Sequence, residues 1–553
     1  MEDKVQSISR SQILTELKSG SFDVLIIGGG ATGAGIALDA ASRGLSTALI
    51  EMRDFASGTS SKSTKLIHGG LRYLKQLDIG LVRETGTERA ILHRLAPHII
   101  LPEKMILPLI EGGTYGKWST SIGLKIYDIL AGVTGDDRRK MLSKKKTLTL
   151  EPLINEKILK GSGFYAEYRT DDARLSIEII KTAARYGATV LNYIKAVDFG
   201  YEEGRLASVE CIDKLTQEKF TLHPKVVVAA GGAWVDRIRK KDNSLQGKRL
   251  HLTKGVHIIV PKQKLPLNYT VYFDVPDGRM MFAIPRGRVT YIGTTDTNYT
   301  GDLNRIVTTK KDVEYILNST KSAFPSIDLK LKDVISSWAG LRPLIHEDGK
   351  SPSELSRKDE IFISESGMIA IAGGKLTGYR KMAERVVDRV VYSIKNDLKR
   401  PLKSCQTKDI FLTQNAFKNV NEVNMLIKNL EGRVTSLGLD SYFAWYLVTN
   451  YGNAATKILD DVNQYKNTPE IALTRAELAY CLANEYVATL SDFYVRRTGK
   501  LYFEIQNINL TKQFIIDDLV AYFDWAEEDK SKHVAEFERE YKDATTYYEN
   551  EFV

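Results

Sequence analysis

Glycines near the start of this 553-residue sequence have the spacing of a dinucleotide-binding turn. Gly28, Gly30 and Gly33 fit the pattern G-x-G-x-x-G, after the apolar run 22–27 and before an alanine-rich segment. Gly28 permits the tight turn, Gly30 lets the backbone approach a pyrophosphate, and Gly33 lets the following helix pack on the strand. The amino end of that helix supplies free N–H groups and a positive dipole to the phosphates. The spacing therefore predicts a dinucleotide site.

The residues that follow this turn favour FAD over a nicotinamide cofactor. Glu51 ends the next predicted strand, where a carboxylate binds ribose hydroxyls and disfavours a 2′-phosphate. The apolar runs 226–230 and 369–372 also end in glycine pairs. Three glycine-ended strands in one nucleotide domain are typical of FAD-binding chains, whereas a nicotinamide dehydrogenase usually needs only the first. The helix predicted at 380–391 would direct its positive end at the flavin and stabilise the anionic reduced form.

The elements around these motifs alternate between strands and helices up to about residue 400. Residues 22–51 predict a complete strand-helix-strand unit, with its helix at 33–43 and its second strand at 45–51. Further elements are predicted as strands at 189–198, 226–230, 257–260, 269–275, 290–293 and 368–372, and as helices at 173–186 and 310–323. After Pro401 the predicted strands stop, and amphipathic helices follow, for example at 475–490.

This pattern predicts an α/β fold with three domains after an N-terminal arm. The boundaries are an arm at 1–21 with a short helix at 11–18; a Rossmann-type FAD-binding domain within 22–400, built from about 22–70, 171–240 and 361–400; an inserted mixed-sheet substrate domain at about 71–170 and 241–360; and a C-terminal all-helical domain at 401–553. No role is assigned to the arm.

The composition narrows the class of protein. No run approaches the roughly 18 apolar residues of a spanning helix, and the first residues lack a signal-peptide core, so a cytoplasmic protein is expected. Cys211, Cys405 and Cys481 lie far apart and the histidines lack metal-ligand spacing, so no metal site is expected. The net charge of +9 comes without nucleic-acid-binding motifs, so nucleic acid is not expected as a partner. A basic flavoprotein that binds nucleic acid stays as the alternative from another class.

The segment Thr59-Ser-Ser-Lys-Ser-Thr-Lys-Leu-Ile-His-Gly-Gly-Leu-Arg-Tyr73 resembles the FAD-dependent glycerol-3-phosphate dehydrogenase family, among the D-amino-acid-oxidase-like flavoproteins. The same resemblance continues at 171–174, 254–257, 292–296, 339–343, 373–380, 474–478 and 495–498. It spans about residues 20 to 500 in matching order and spacing. One departure is Gly232, where the family commonly has proline; the glycine is expected to preserve the turn.

The resemblance implies the site residues and the reaction. FAD contacts are implied at Gly28, Gly30, Gly33, Glu51, Thr59, Ser60, Ser61, Gly231, Gly374, Lys375, Leu376 and Thr377. Substrate contacts are implied at Arg72, Tyr73, His257, Arg342, Arg357 and Lys375. The implied reaction is oxidation of sn-glycerol 3-phosphate to dihydroxyacetone phosphate by hydride transfer to the flavin, with electrons passed to a quinone.

Within these motifs the residue types suit that chemistry. A phosphate dianion calls for several cations, and Arg342 and Arg357, expected in a loop-rich stretch, form the predicted clamp together with Arg72. His257 is the predicted acceptor of the hydroxyl proton, because a neutral imidazole suits that task. Stabilisation of the alkoxide by Arg342 or Lys375 is the alternative.

Three questions stay open at this stage. Dioxygen is the alternative electron acceptor, which would make the chain a soluble oxidase. A flavin oxidase of an amine or amino acid is a further alternative, although it needs a carboxylate clamp rather than three arginines. The oligomeric state, including a homodimer, is undetermined.

An apolar and aromatic segment at 118–130 is followed closely by the basic cluster Arg138–Lys146, which has six basic residues and no acid. This combination predicts peripheral binding to anionic lipid on the inner face of the cell membrane. A core helix followed by a solvated charged loop is the alternative.

Overall fold

The computed structural model describes residues 9–68, 79–114, 138–346, 359–398, 400–414 and 416–552. The strands, in chain order, are β1 (Val24–Ile27), β2 (Thr47–Glu51), β3 (Leu66–Ile67), β4 (Leu101–Ile110), β5 (Lys140–Ser143), β6 (Leu159–Arg169), β7 (Thr189–Asn192), β8 (Ile194–Glu202), β9 (Arg205–Asp213), β10 (Lys219–Leu222), β11 (Val226–Ala229), β12 (Leu250–Pro261), β13 (Thr270–Asp274), β14 (Met280–Arg286), β15 (Val289–Gly293), β16 (Thr297–Asn298), β17 (Ser336–Ile345), β18 (Asp359–Ile363) and β19 (Ile369–Gly373).

The α-helices, in chain order, are α1 (Arg10–Ser19), α2 (Ala31–Arg43), α3 (Ile79–Leu95), α4 (Lys144–Leu150), α5 (Asp172–Arg185), α6 (Val235–Lys241), α7 (Lys310–Ala323), α8 (Tyr379–Ile394), α9 (Val420–Ser436), α10 (Tyr442–Tyr451), α11 (Ala454–Asp461), α12 (Pro469–Asn484), α13 (Lys500–Phe503), α14 (Ile505–Phe523) and α15 (Glu527–Thr545). No helix in these described ranges is long and apolar enough to cross a membrane.

A six-stranded sheet carries the glycine turns. Its order is β18-β19-β11-β1-β2-β7, and neighbours pair in parallel except β18, which pairs antiparallel with β19. One face packs against α2, α5 and α8, and the other packs against a three-stranded sheet of β8, β9 and β10. Burial on both faces explains why the inner strands are continuous apolar runs. The carboxyl ends of the parallel strands meet at one edge, where open α/β sheets bind ligands.

The run 189–198, predicted as one strand, is two strands in different sheets. β7 joins the parallel sheet, and β8 begins two residues later in the three-stranded sheet. Tyr193, between them, has φ 61°, so the chain changes direction there. The prediction of a single strand was wrong because its apolar pattern is continuous across the turn.

A ten-stranded mixed sheet forms the second layer of the molecule. It runs β16-β12-β15-β14-β13-β4-β6-β3, with β17 paired to β12 and β5 paired to β6. β12 and β17 pair antiparallel over ten positions, with Arg342 opposite Thr253 and Trp338 opposite His257. The prediction that Arg342 lies in a loop-rich stretch was therefore wrong, because Arg342 lies on a long strand.

Helices dominate after residue 401, apart from an isolated parallel bridge between Thr309 and Tyr548 in the described residues. The helix predicted at 475–490 is shifted: α12 starts at Pro469 and ends at Asn484. Side chains from these helices share one apolar core with the ten-stranded sheet, for example through Tyr291 and Trp338. The N-terminal arm is anchored to β7 and β9, because the Arg10 guanidinium donates to Asn192 O (2.9 Å) and pairs with Asp213 (3.0 Å).

Candidate cofactor and substrate site

The glycine turn between β1 and α2 leaves no room for side chains. Gly28 has φ 122°, and a Cβ there would lie 2.4 Å from the carbonyl oxygen of Ala230. A Cβ on Gly33 would lie 1.8 Å from the Gly28 carbonyl oxygen. Gly30 is the N-cap of α2, and the Ala31 N–H donates to Ser60 Oγ (3.0 Å). The turn is thus fixed by close backbone packing, with the amino end of α2 beside the Thr59–Ser61 loop.

Glu51, at the carboxyl end of β2, holds the same turn. Its carboxylate accepts hydrogen bonds from the Gly29 N–H (2.7 Å) and the Arg53 N–H (2.9 Å). Burial raises the pKa of Glu51, and these two hydrogen bonds oppose that rise. Each carboxylate oxygen keeps a second lone pair, so Glu51 can still accept a hydrogen bond from a ribose hydroxyl.

A cavity of about 560 Å³ opens at the carboxyl edge of the parallel sheet, against β12 and β17. That volume lies in the range of cofactor sites. The sequence-predicted residues that line it are Gly28, Gly30, Glu51, Thr59, Ser60, Gly231, Gly374, Lys375, Leu376, Thr377, His257 and Arg342. Gly33 and Ser61 do not line it: Gly33 packs beneath the turn, and the Ser61 hydroxyl is buried and donates to Gly58 O (3.4 Å).

The second glycine turn is present at position 232, as expected from the sequence. Gly232 has φ 53°, a conformation that the proline ring excludes because it fixes φ near −65°. The chain does turn here, through the short 3₁₀ segment Gly232–Trp234. Glycine therefore gives a turn with a backbone that proline cannot adopt.

His257 lies on β12 with its ring fixed on both sides. The ring stacks on Trp338 (centroids 4.8 Å, planes 17° apart), and its Nε2 lies 3.1 Å from Thr64 Oγ1. A Cβ on Gly293 would lie 2.3 Å from the ring, so glycine is needed opposite it. Burial, with the nearby charges of Arg342 and Lys65, lowers the pKa of His257 well below its ordinary value. The imidazole is therefore neutral at physiological pH.

Arg342, on the paired strand β17, lines the same cavity as His257. Its guanidinium donates to Thr294 Oγ1 (2.9 Å) and pairs with Asp296 (3.2 Å). Gly255 lies against it, since a Cβ there would be 2.3 Å from Nη2. The antiparallel pairing of β12 and β17 is what brings a neutral imidazole and a fixed guanidinium to one cavity.

Several cavity residues were missed by the sequence analysis. Arg53 and Lys62 line the cavity, and burial lowers the pKa of both. Trp234 also lines the cavity, and the Arg53 guanidinium carbon lies 5.4 Å from the centroid of its ring. The buried Trp234 Nε1 has no hydrogen bond in the described part of the chain. Thr64 contacts His257. All four lie within or next to the recognised motifs, which is the one signal that could have indicated them.

Three predicted substrate residues, Arg72, Tyr73 and Arg357, lie outside the described residues, and so does the segment 118–130. The basic cluster Arg138–Lys146 is described: it forms β5 and the start of α4, with Lys145 and Lys146 exposed.

The fold and the cavity agree with the family matches of the chain. Residues 23–380 match the family described as FAD dependent oxidoreductase, and residues 405–530 match the C-terminal domain of alpha-glycerophosphate oxidase. The tight glycine turns, the carboxylate at the end of β2 and the amino end of α2 meet at one cavity, which is what an FAD pyrophosphate and ribose require. The chain is an FAD-dependent oxidoreductase, and FAD is its cofactor.

Similar proteins narrow that class. An aerobic glycerol-3-phosphate dehydrogenase of Bacillus subtilis (strain 168) is 46% identical over 98% of this chain and 99% of its own length. One from Staphylococcus aureus (strain USA300) is 45% identical over 98% of each chain. The crystal structure of the glycerol-3-phosphate dehydrogenase from Bacillus halodurans complexed with FAD has 42% identity, covers 98% of this chain and 99% of its own, and superposes with a TM-score of 0.83. The chain belongs to the FAD-dependent glycerol-3-phosphate dehydrogenase family.

Proposed function

We propose that the chain oxidises sn-glycerol 3-phosphate to dihydroxyacetone phosphate. The observation that carries this proposal is the pairing of β12 with β17, which puts His257 and Arg342 at the cavity that the glycine turns line. The substrate is supported by the names of the similar proteins, which are glycerol-3-phosphate dehydrogenases. Bound FAD supplies the acceptor for the hydride that leaves the carbinol carbon.

The chain binds the cofactor with its turns and loop. The N–H groups that follow Ala31 at the amino end of α2 would bind the pyrophosphate, and Glu51 would accept hydrogen bonds from ribose hydroxyls. The other proposed contacts are Gly28, Gly30, Gly33, Thr59, Ser60, Ser61, Gly231, Gly374, Lys375, Leu376 and Thr377. Gly33 acts by packing α2 onto the turn, since it does not line the cavity.

Arg342 binds the substrate phosphate. A guanidinium matches a phosphate bidentately, and Thr294 and Asp296 hold this one by two of its nitrogens. Arg72, Tyr73, Arg357 and Lys375 complete the proposed substrate contacts. The charge of Arg342 serves specificity, because a neutral alcohol gains nothing from it while a dianion does.

His257 accepts the hydroxyl proton. Its stacking on Trp338 and its contact with Thr64 fix the direction of the ring, and the neutral ring has a lone pair to offer. Arg342 weakens this base in the free protein. A bound phosphate dianion offsets that positive charge, so the basicity of His257 rises when substrate is in place. Stabilisation of the alkoxide by Arg342 or Lys375 is the competing role.

A quinone is the proposed electron acceptor, supported by the names of the full-length relatives, which are dehydrogenases, although the family matched by residues 405–530 is named after an oxidase. A quinone lies in the membrane, so the chain must bind there peripherally; Lys144, Lys145 and Lys146 on α4 are the proposed contacts with anionic lipid. We expect binding to anionic but not neutral vesicles, released by about 0.5 M salt. Replacing the three lysines with glutamine should weaken it, and wild-type protein that stays in solution with anionic vesicles contradicts the membrane contact.

The reaction is tested by following product and acceptor together. With sn-glycerol 3-phosphate and a quinone analogue under nitrogen, we expect dihydroxyacetone phosphate in equal amount to the reduced quinone. Turnover that needs air and forms hydrogen peroxide would make dioxygen the acceptor. Turnover with an amino acid but not with glycerol 3-phosphate would overturn the proposed substrate.

A further inference from the structure

A buried ion cluster joins the FAD-binding segment to the C-terminal helices. Asp54, three residues after Glu51, is fully buried, and its carboxylate accepts two hydrogen bonds from the Arg497 guanidinium (2.7 and 2.8 Å). The Arg496 Nε donates to the same carboxylate, and Asn192 Nδ2 adds a further hydrogen bond (3.0 Å). Two arginines from the C-terminal part thus converge on one carboxylate beside the proposed ribose ligand.

These arginines belong to the π-helical segment Asp492–Arg497. Asp492 holds the Arg496 guanidinium, because its carboxylate accepts a hydrogen bond from Arg496 Nη2 (2.9 Å). The same carboxylate accepts a hydrogen bond from the Tyr193 hydroxyl (2.6 Å). Although burial alone would raise the pKa of the Asp54 carboxyl, Arg497 and Arg496 hold it below its ordinary value. The cluster therefore stays charged inside the protein, where separating its members is costly.

The segment Glu51–Phe55 is also packed by the C-terminal part of the chain. Phe55 meets the ring of Tyr486, from the C-terminal part, edge to face at 5.5 Å. Phe55 also lies against the glycine turn, since a Cβ on Gly29 would be 2.6 Å from its ring. Glu51 accepts a hydrogen bond from the same Gly29. The path from Arg496 and Arg497 to the turn is therefore a set of direct contacts.

We propose that Arg496 and Arg497 are positioning residues through which the C-terminal helices hold the Glu51–Phe55 segment and set the affinity for the adenosine half of FAD. This proposal rests on the role of Glu51 at the ribose given above. It assigns the C-terminal helices a part in cofactor retention, because the Asp54 clamp comes from them. Binding of FMN is not expected to depend on this clamp.

The test uses two matched variants of the full chain. Arg496→Gln removes one of two cations from Asp54. Arg475→Gln is the control, because it breaks a two-bond arginine–carboxylate pair with Asp518 (2.6 and 2.8 Å) between α12 and α14, outside the cavity. Thermal unfolding is measured on both variants, so that a general loss of stability is separated from a loss of cofactor. Only Arg496→Gln should release FAD faster from the holoenzyme and, after removal of FAD, bind ADP about tenfold more weakly with FMN binding unchanged.

Other outcomes separate the clamp on Asp54 from the ribose role of Glu51. Wild-type ADP affinity in Arg496→Gln, or an equal loss of ADP affinity in Arg475→Gln, overturns the clamp. If Arg496→Gln does not fold, Arg497→Lys keeps the charge and loses the bidentate geometry; a loss of about threefold supports the clamp, and no loss overturns it. Glu51→Gln is the separate test of the ribose assignment. If ADP binds more weakly to Glu51→Gln but with wild-type affinity to the arginine variants, the ribose role of Glu51 stands and only the clamp is overturned.

Discussion

Gly255 offers a way to move the proposed phosphate ligand without removing its charge. A Cβ at position 255 would lie 2.3 Å from Nη2, 2.6 Å from Cζ and 2.7 Å from Nη1 of Arg342. Ordinary carbon contacts lie at about 3.5–4.0 Å, so in Gly255→Ala the guanidinium must retreat by about 1 Å. Nη2, the nearest atom, is also the donor to Thr294. The substitution therefore shifts the guanidinium away from its fixed position.

Gly255→Ala is expected to change kcat/KM much more than stability. The obstructing atoms are the flexible end of a side chain, and Gly255 does not have a positive φ, so we expect the free energy of unfolding to change by less than about 1 kcal/mol. A misplacement of about 1 Å in a positioning group can lower kcat/KM by about 10²-fold. That corresponds to about 2.7 kcal/mol of transition-state stabilisation.

The assay is steady-state oxidation of sn-glycerol 3-phosphate, with FAD content and thermal unfolding measured on the same preparations. Gly432→Ala is the control, because a Cβ there has no neighbour within 4 Å and lies on α9, away from the cavity. A Gly255→Ala protein with wild-type kcat/KM would refute the placement of Arg342 at the phosphate. A protein that loses FAD instead would show that the residue supports the cofactor.

Three further predictions concern Arg342, His257 and the buried His98. Arg342→Met should lower kcat/KM, at a cost of about 2–4 kcal/mol in transition-state stabilisation and with FAD retained. Arg279→Met, which removes a charge next to Asp296 but outside the cavity, should have little effect. His257→Ala should slow anaerobic flavin reduction by about 10²–10⁴-fold, less at high pH where solvent takes the proton; an unchanged rate ends its role as base. Burial, with Arg174 and Lys181, lowers the pKa of His98 to about 3, so only the unfolded chain gains this proton as pH falls from about 6.5. The free energy of unfolding should then fall by about 1.4 kcal/mol per pH unit from this group, and equal slopes in wild type and His98→Gln would contradict it.

The first strand-helix-strand unit could be predicted because its signals are local. The glycine spacing and apolar period of 22–51 place β1, α2 and β2 within two residues of their observed ends. The helix at 310–323 was predicted at the bounds of α7, where Thr309 and Asp312 form a capping box. In these elements the local preference and the tertiary structure agree.

His257 and Arg342 are brought together by the pairing of β12 with β17, for which the sequence near either residue carries no signal. Only 257–260 was predicted as a strand, while β12 extends from Leu250 to Pro261, because β17 pairs with it from Leu250 to Ile259 and β15 from His257 to Pro261. The polar residues at its start interrupt the apolar pattern, and the pairing with β17 overrides it. Motif resemblance indicated His257 and Arg342, but their common cavity follows from the strand register.

Contacts between distant segments were beyond sequence reasoning. Asp54 and Arg496 are separated by 442 positions, and neither local sequence indicates the other. The same holds for Arg10 and Asp213, which fix an arm to which no role had been given. Such pairs follow from how the C-terminal helices and the arm pack on the parallel sheet.

The central claim is that one cavity binds FAD and selects an alcohol by its phosphate. Anaerobic mixing of the FAD-loaded chain with sn-glycerol 3-phosphate, followed by the flavin absorbance, tests this claim directly. We expect rapid bleaching by glycerol 3-phosphate and almost none by glycerol at the same concentration, because only the phosphate engages Arg342. Equal bleaching by both compounds, or a chain that cannot be loaded with FAD, would contradict the account.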